Sequence, residues 1–190
     1  LDLGIQSVAE NVLSNQPGAV VVLDARNGDV LALASAPTFD VESLKSRPAW
    51  QRVVSNPNRP LLNRAIGGRY PPGSTFKPLI AIAGLQYKKI TPSTEVNCPG
   101  YYKVGNRPIK CWSKRGHGVL TLRKAIEQSC NPFFCDVGMR CEYQRVFHMA
   151  DSVGFGHKTG IELRGESPGL LPGPEWKRRV MRDGWRSGDT

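Results

Sequence analysis

A helix with no polar stripe offers no face to water, so whatever chain contains one must wrap it on all sides. The stretch "RYPPGSTFKPLIAIAGLQY", residues 69–87, predicts such a helix: it begins near Ser74 after a Pro-Pro-Gly turn and is apolar nearly all round from Pro78 to Leu85. Pro78 falls in the first turn, where a missing N–H is tolerated because early helical N–H groups have no intrahelical partner. The rest of the chain must therefore supply the layers that bury it.

Those layers can be read from the flanking patterns. Ile5, Val8, Ala9, Val12 and Leu13 recur at helical spacing and stop at "SNQPG". Next, "AVVVLDARNGDVLALAS" sets two aliphatic runs around "RNGD", which predicts a β-hairpin. Continuous apolar runs on both arms predict strands buried on both faces and covered by helices. Residues 37–69 read as a long surface connection with a helical piece around Val41–Val54, and residues 91–118 as irregular. "LTLRKAIEQS" reads as a helix. A second starts with Asn131 as N-cap and Pro132 at its first position, and runs to Gly154 with Gly138 as a candidate kink. The remainder is loop-rich. Helices packed against a sheet make the fold class α/β.

Composition excludes some alternatives. Of 190 residues, 39 % are hydrophobic and 22 % charged, unlike a disordered chain. The longest uncharged apolar run, Pro78–Tyr87, is about half the roughly twenty residues a membrane span needs. A formal charge of +10 suits an anionic partner, but the basic residues are dispersed and no aromatic-rich nucleic-acid signature accompanies them. They read as a solvated face, with no nucleic acid as partner. Both ends look cut, so the chain is expected to be an internal fragment whose anchor lies outside it.

The chemistry begins at Ser74 and Lys77. Three residues apart at a helix start, their side chains share one face. The helix N-terminus favours a developing oxyanion, and a desolvated, neutral lysine can take the serine proton. The plain alternative is an N-cap serine beside a solvated lysine, since S-x-x-K also occurs by chance. A second element, S-x-N at Ser129–Asn131, sits at a helix–loop–helix junction downstream.

Together "NRAIGGRYPPGSTFKP", "SCN", "LDLGIQSVAENVL" and "GAVVVLDARNGDVLALASAP" resemble the transpeptidase domain of class B penicillin-binding proteins, most of all the elongation-type penicillin-binding protein 2. The resemblance covers essentially the whole chain. It implies a partial penicillin-binding/β-lactamase-like fold, with helices packed on an antiparallel sheet. Residues 1–190 would be the N-terminal part of the domain, the closing strands lying beyond Thr190. It also implies a peptidoglycan D,D-transpeptidase acting on D-Ala-D-Ala stem peptides and trapped by β-lactams. Ser74 would be the acylated nucleophile, Lys77 its base, Ser129 the proton relay and Asn131 a donor to the substrate amide. The implied setting is the periplasmic face of a bacterial inner membrane, beside a glycan polymerase and a cell-shape complex. Two alternatives belong to other classes: a β-lactam-sensing receptor domain, and a basic zinc module that binds a polyanion.

Two motifs read as decoys. "HKTG" at 157–160 matches the family's third motif, K-T/S-G, but Ile161-Glu162-Leu163 follow it where small residues are expected. Glu166 would suggest a deacylating glutamate, yet position 170 is Leu rather than Asn. The true third motif is expected beyond Thr190, and the isolated chain should be inactive.

Five cysteines remain: Cys98, Cys111, Cys130, Cys135 and Cys141. In an oxidising compartment pairing is the default, and a Cys98–Cys111 disulfide is the main alternative to a metal. Cys98, Cys111, His117 and Cys130 also make a closed three-thiolate, one-imidazole set suited to structural zinc, at spacings wider than a standard finger. The resemblance implies the metal. A subset of penicillin-binding protein 2 enzymes holds Zn²⁺ beside the active site through two carboxylates, a His and the Cys inside S-x-D/N. His117 and Cys130 match the last two, with Cys98 and Cys111 in place of the carboxylates. Cys135, Cys141 and His148 read as structural.

Overall fold

The computed structural model describes residues 1–14, 16–186 and 189. They form two compact units: Leu1–Tyr70 with Lys158–Gly169, and Pro71–His157 with Leu170–Thr190.

In the first unit helix α1 (Leu3–Leu13) packs on the antiparallel hairpin β1 (Gly18–Leu23) and β2 (Val30–Ala36). Asp2 caps α1 by accepting from Ile5 N, as a short polar residue at the N-cap should. Gln6 then clips the helix to the sheet, accepting from Leu33 N at 2.8 Å and donating to Leu33 O at 3.2 Å. A small core of Ala9, Ala32 and Ala34 lies between them, lined by Leu13, Val20 and Val22. The Asn-Gly turn is present, within a loop closed by Asp24 N donating to Asp29 O. Burial differs from the expectation: β1 alternates strictly, leaving Val21 and Leu23 exposed. The side-chain period of a strand is two, and α1 covers one face only.

A 3₁₀ turn (Val41–Lys45) and α2 (Arg47–Val54) form the expected helical piece. Helix α3 (Arg64–Gly67) begins where Arg64 N donates to Ser35 Oγ at the end of β2. The returning loop 158–169 is tied to α3 by Ser167 N on Ile66 O and by Arg69 Nε on Ser167 Oγ.

The second unit is built on α4 (Lys77–Gln86) against α6 (Asn131–Ser152), with α5 (Leu122–Glu127) between them in sequence. Helix α4 starts three residues later than expected, because Gly73–Phe76 form a 3₁₀ turn first. It meets α6 through small residues, Ala81, Ala83 and Gly84. A Cβ on Gly84 would sit 2.8 Å from Val137 Cγ1 and 2.9 Å from Ile90, so only glycine allows this approach. Phe133 and Val137 fill the core from α6. The opposite side of α4 is not wrapped: Ile82 is 52 % exposed, which departs from the fully buried helix expected.

Residues 91–118 are not irregular. They hold two antiparallel pairs, β3 (Val96–Cys98) with β6 (Gly118–Leu120), and β4 (Tyr101–Val104) with β5 (Arg107–Lys110). The two-residue Gly105-Asn106 connection between β4 and β5 is a hairpin composition. Helix α6 breaks at Glu142 (φ 62°, ψ 161°), not at Gly138. Arg145 covers the break, donating to Cys141 O and to Glu142 Oε2. Helix α7 (Pro174–Trp176) and a π turn over Lys177–Met181 end the described structure, where buried Lys177 pairs with Asp189 at 2.6 Å.

Candidate active site and metal centre

Lys77 is the hub of the site. As the first residue of α4 it is half-buried, and its Nζ donates to Ser129 O at 2.7 Å and Asn131 Oδ1 at 2.6 Å, and lies 3.0 Å from Ser129 Oγ. The Phe134 ring lies 5.7 Å below it. Burial pulls the Lys77 ammonium below its ordinary value, against the opposing pull of Cys111, Cys130 and Cys135. A neutral amine has two N–H donors and one lone pair. The two pure acceptors, Ser129 O and Asn131 Oδ1, take the donors, and a hydroxyl can donate to the lone pair.

Ser74 is exposed in the 3₁₀ turn, and its carbonyl accepts from Lys77 N. Its Oγ has no hydrogen-bond partner among the described residues, so the hydroxyl is open to a substrate.

Ser129 and Asn131 owe their position to the end of α5. Cys130 N donates to Ala125 O and Ser129 N to Ile126 O, each at 3.0 Å, which is a Schellman ending with Ser129 in the left-handed position (φ 47°). Glycine is usual there, and a serine in αL is a candidate for functional strain. Asn131 is the first helical residue rather than the N-cap, which is Cys130. The Asn131 side chain is engaged elsewhere: Nδ2 donates to Lys110 O at 2.9 Å, and Oδ1 accepts from Lys77.

Cys130, between them, faces away. It is fully buried with Cys98 and Cys111, and all three are free thiols with no Cys98–Cys111 disulfide. His117 Nδ1 lies 3.6 Å from both Cys98 Sγ and Cys111 Sγ, and the four donor atoms, Cys130 Sγ included, lie within 4.8 Å of one another. With Zn–S near 2.3 Å and Zn–N near 2.0–2.1 Å, the S···N edge of a tetrahedron is about 3.6 Å. The residues therefore fit zinc in both chemistry and spacing. Gly116 (φ 78°) makes the turn that delivers His117. A Cβ there would clash with Cys98 O, and His117 N donates to that same carbonyl at 3.0 Å. Burial pushes the Cys130 thiol up to about 12, which opposes thiolate formation.

The decoys are occupied with each other. Thr159 N and Thr159 Oγ1 both donate to Glu166 Oε1 at 2.7 Å, closing the loop of the first unit. Cys141 is buried and Cys135 half-buried. His148 is exposed and pairs through Nδ1 with Tyr87 Oη at 2.9 Å.

Sequence reading missed Lys110 and Trp112. Trp112 Nε1 donates to Gln128 O at 2.7 Å, and its ring meets His117 edge-on at 5.0 Å. No spacing rule announces a side chain that bonds a distant carbonyl. The only local hint is an aromatic next to a candidate ligand, Cys111.

A serine and a lysine one turn apart, with a serine and an asparagine brought to that lysine, define a class. The sequence model of the penicillin binding protein transpeptidase domain matches residues 18–185, and the chain belongs to that family. Within it the similarity runs to the penicillin-binding protein 2 type. The peptidoglycan D,D-transpeptidase MrdA of Acinetobacter baumannii is 38 % identical over 196 residues, matching 100 % of this chain and 29 % of that protein. Penicillin-binding protein 2 of Pseudomonas aeruginosa, solved in complex with WCK 5153, superposes with a TM-score of 0.92 at 37 % identity, over 99 % of this chain and 42 % of the other. Penicillin-binding protein 2 of Helicobacter pylori, solved with MreC, gives 0.91 at 33 %, over 98 % of this chain and 36 % of the other. The chain thus spans under half the length of these relatives.

Proposed function

We propose that the protein containing this chain is a peptidoglycan D,D-transpeptidase, in which Ser74, Lys77, Ser129 and Asn131 carry the acyl transfer. The observation behind this reading is the single amine of Lys77, depressed by burial and held by both Ser129 and Asn131. Ser74 Oγ attacks the penultimate D-Ala carbonyl while neutral Lys77 takes its proton. The C–N bond to the terminal D-Ala then breaks. Its nitrogen is protonated from Lys77 by way of Ser129 Oγ, leaving an ester on Ser74. The amine of a neighbouring stem peptide attacks that ester, gives up its proton along the same path and restores Ser74 as the cross-link forms. Asn131 Nδ2 gives one N–H to Lys110 O and Oδ1 takes one bond from Lys77, which leaves a second N–H and a second lone pair to meet the substrate amide. A β-lactam, being a strained amide, takes the first half of this path and stops at the ester.

Cys98, Cys111, His117 and Cys130 would hold one Zn²⁺. Bound there, the metal supplies a structural cross-link between the β3–β6 region and the turn that carries Ser129. The proposed setting is the periplasmic side of an inner membrane, with an MreC-type cell-shape protein and a glycan polymerase as partners. MreC is bound by the H. pylori relative. Among the described residues no helix is long and apolar enough to cross a membrane.

The test is labelling of the full-length protein by a fluorescent penicillin, followed by transfer to an acceptor amine. Labelling that Ser74→Ala abolishes, with a cross-linked product in the second step, is the expected outcome. Acylation without transfer would favour a sensing role, and no acylation would end the reading.

A further inference from the structure

The three residues Lys110–Trp112 at the end of β5 lie along the four residues Gln128–Asn131. Lys110 O accepts from Asn131 Nδ2 at 2.9 Å, and Trp112 Nε1 donates to Gln128 O at 2.7 Å. Between them Cys111 lies beside the Asn131 backbone N–H.

Consider the two peptide planes that flank Ser129. The plane between Ser129 and Cys130 is held at both ends, by Lys77 on Ser129 O and by Ala125 O on Cys130 N. The plane between Gln128 and Ser129 is held at its nitrogen by Ile126 O and at its oxygen by Trp112 Nε1. Gln128 closes α5, so its carbonyl is one of the helix-end acceptors that no intrahelical donor reaches. The orientation of that plane sets φ of Ser129, held at 47°, and with it the places of Ser129 O and Oγ around Lys77. Trp112 is not core: it is 65 % exposed, so packing does not account for an indole here.

We infer that Trp112 is a positioning residue of the acyl-transfer site, fixing the Gln128–Ser129 peptide so that Ser129 presents both oxygens to Lys77. The inference rests on the acyl-transfer reading above. It acts through one hydrogen bond from the indole N–H, while the ring lies beside His117.

Trp112→Phe in the full-length protein keeps a ring beside His117 and removes the donor. The second-order rate of acylation by a fluorescent penicillin should fall about tenfold, a typical consequence of slight misplacement. The acid limb of its pH profile should move, because the oxygens around Lys77 move. Metal content should stay at its wild-type value. Where phenylalanine destabilises the fold, the benzothienyl analogue of tryptophan, with sulfur in place of N–H, makes the same test at constant shape. A wild-type rate and limb in these variants overturns the inference. So does a rate that falls only in proportion to the folded fraction with the limb unmoved. Failure of the underlying reading is separate: wild-type protein would then not label, or Ser74→Ala would label as well.

Discussion

Ser129 carries two loads that a pair of substitutions can separate. It is a left-handed residue (φ 47°) in the glycine position of a Schellman ending, and it presents Oγ to Lys77 at 3.0 Å. A non-glycine residue in αL costs roughly 1–2 kcal/mol. Glycine removes that strain but gives back about 0.4–1 kcal/mol through its freer unfolded chain. Either Ser129→Gly or Ser129→Ala also loses the hydrogen bond, worth about 0.5–1.5 kcal/mol. Ser129→Gly should therefore stay within about 1 kcal/mol of the parent by these magnitudes. Ser129→Ala keeps the strain and should fall about 1 kcal/mol below the glycine variant, which is about 2–4 °C for a domain of this size. Acylation responds differently. Both variants lack the relay hydroxyl and should lose about 10²–10⁴-fold in rate. Thermal melts of the two variants and penicillin acylation kinetics on the same preparations make the comparison. If alanine is more stable than glycine by about the 0.4–1 kcal/mol of the unfolded-chain effect, Ser129 is not strained. If glycine acylates at the parent rate, the hydroxyl lies outside the chemistry.

Lys77 gives a pH signature. Its folded value is lowered by burial, so the neutral base appears as pH rises through a range below the ordinary 10.5, and acylation should plateau before that value. Lys77→Arg, which cannot become neutral, should remove the rise. The sign for stability follows: the unfolded chain keeps this proton to higher pH than the folded one, so the fold gains stability as pH rises through that window, measurable by denaturant titration. Zinc analysis should find about one ion per chain, lost or weakened in Cys98→Ser, with a lower melting temperature on chelation. A Cys98→Ser protein that melts and acylates like the parent would refute a structural metal. Glu166→Gln should loosen the loop closed on Thr159, seen as faster proteolysis between residues 158 and 169, while penicillin acylation is unchanged. A large loss of acylation would return Glu166 to the active site.

The readable part of this chain is its local part. The Asn-Gly hairpin and the Val41–Val54 helices depend on neighbours within a few residues, and each is found where the pattern puts it; the Ser74–Lys77 pair is equally local, but Ser74 falls in a 3₁₀ turn ahead of the helix. The β4–β5 hairpin was equally local, in Gly105-Asn106, but lay hidden among basic and glycine residues that read as loop. What the sequence concealed depends on distance. Asn131 looks like an N-cap because Asn before Pro usually is one, yet its side chain is drawn to Lys77, 54 residues away, and to Lys110. Exposure of Val21 and Ile82 was hidden for a related reason, since hydrophobicity states what a side chain prefers and not which element arrives to cover it.

The S-x-N stretch shows how local geometry lets one motif serve two centres. Cys130 is extended (φ −72°, ψ 111°) between left-handed Ser129 and helical Asn131, and its side chain leaves the backbone on the other side from theirs. Ser129 and Asn131 therefore turn together toward Lys77, while Cys130 turns to Cys98, Cys111 and His117. The middle position is the one place in the triplet where a ligand side chain can be installed without displacing Ser129 or Asn131 from Lys77. The same alternation couples the centres: anything that pulls Cys130 from the thiol cluster must rotate the peptide that carries Ser129 O, and Lys77 loses its partner at 2.7 Å. Loss of the cluster should thus register first in the proton chemistry at Lys77, and only later in the global fold.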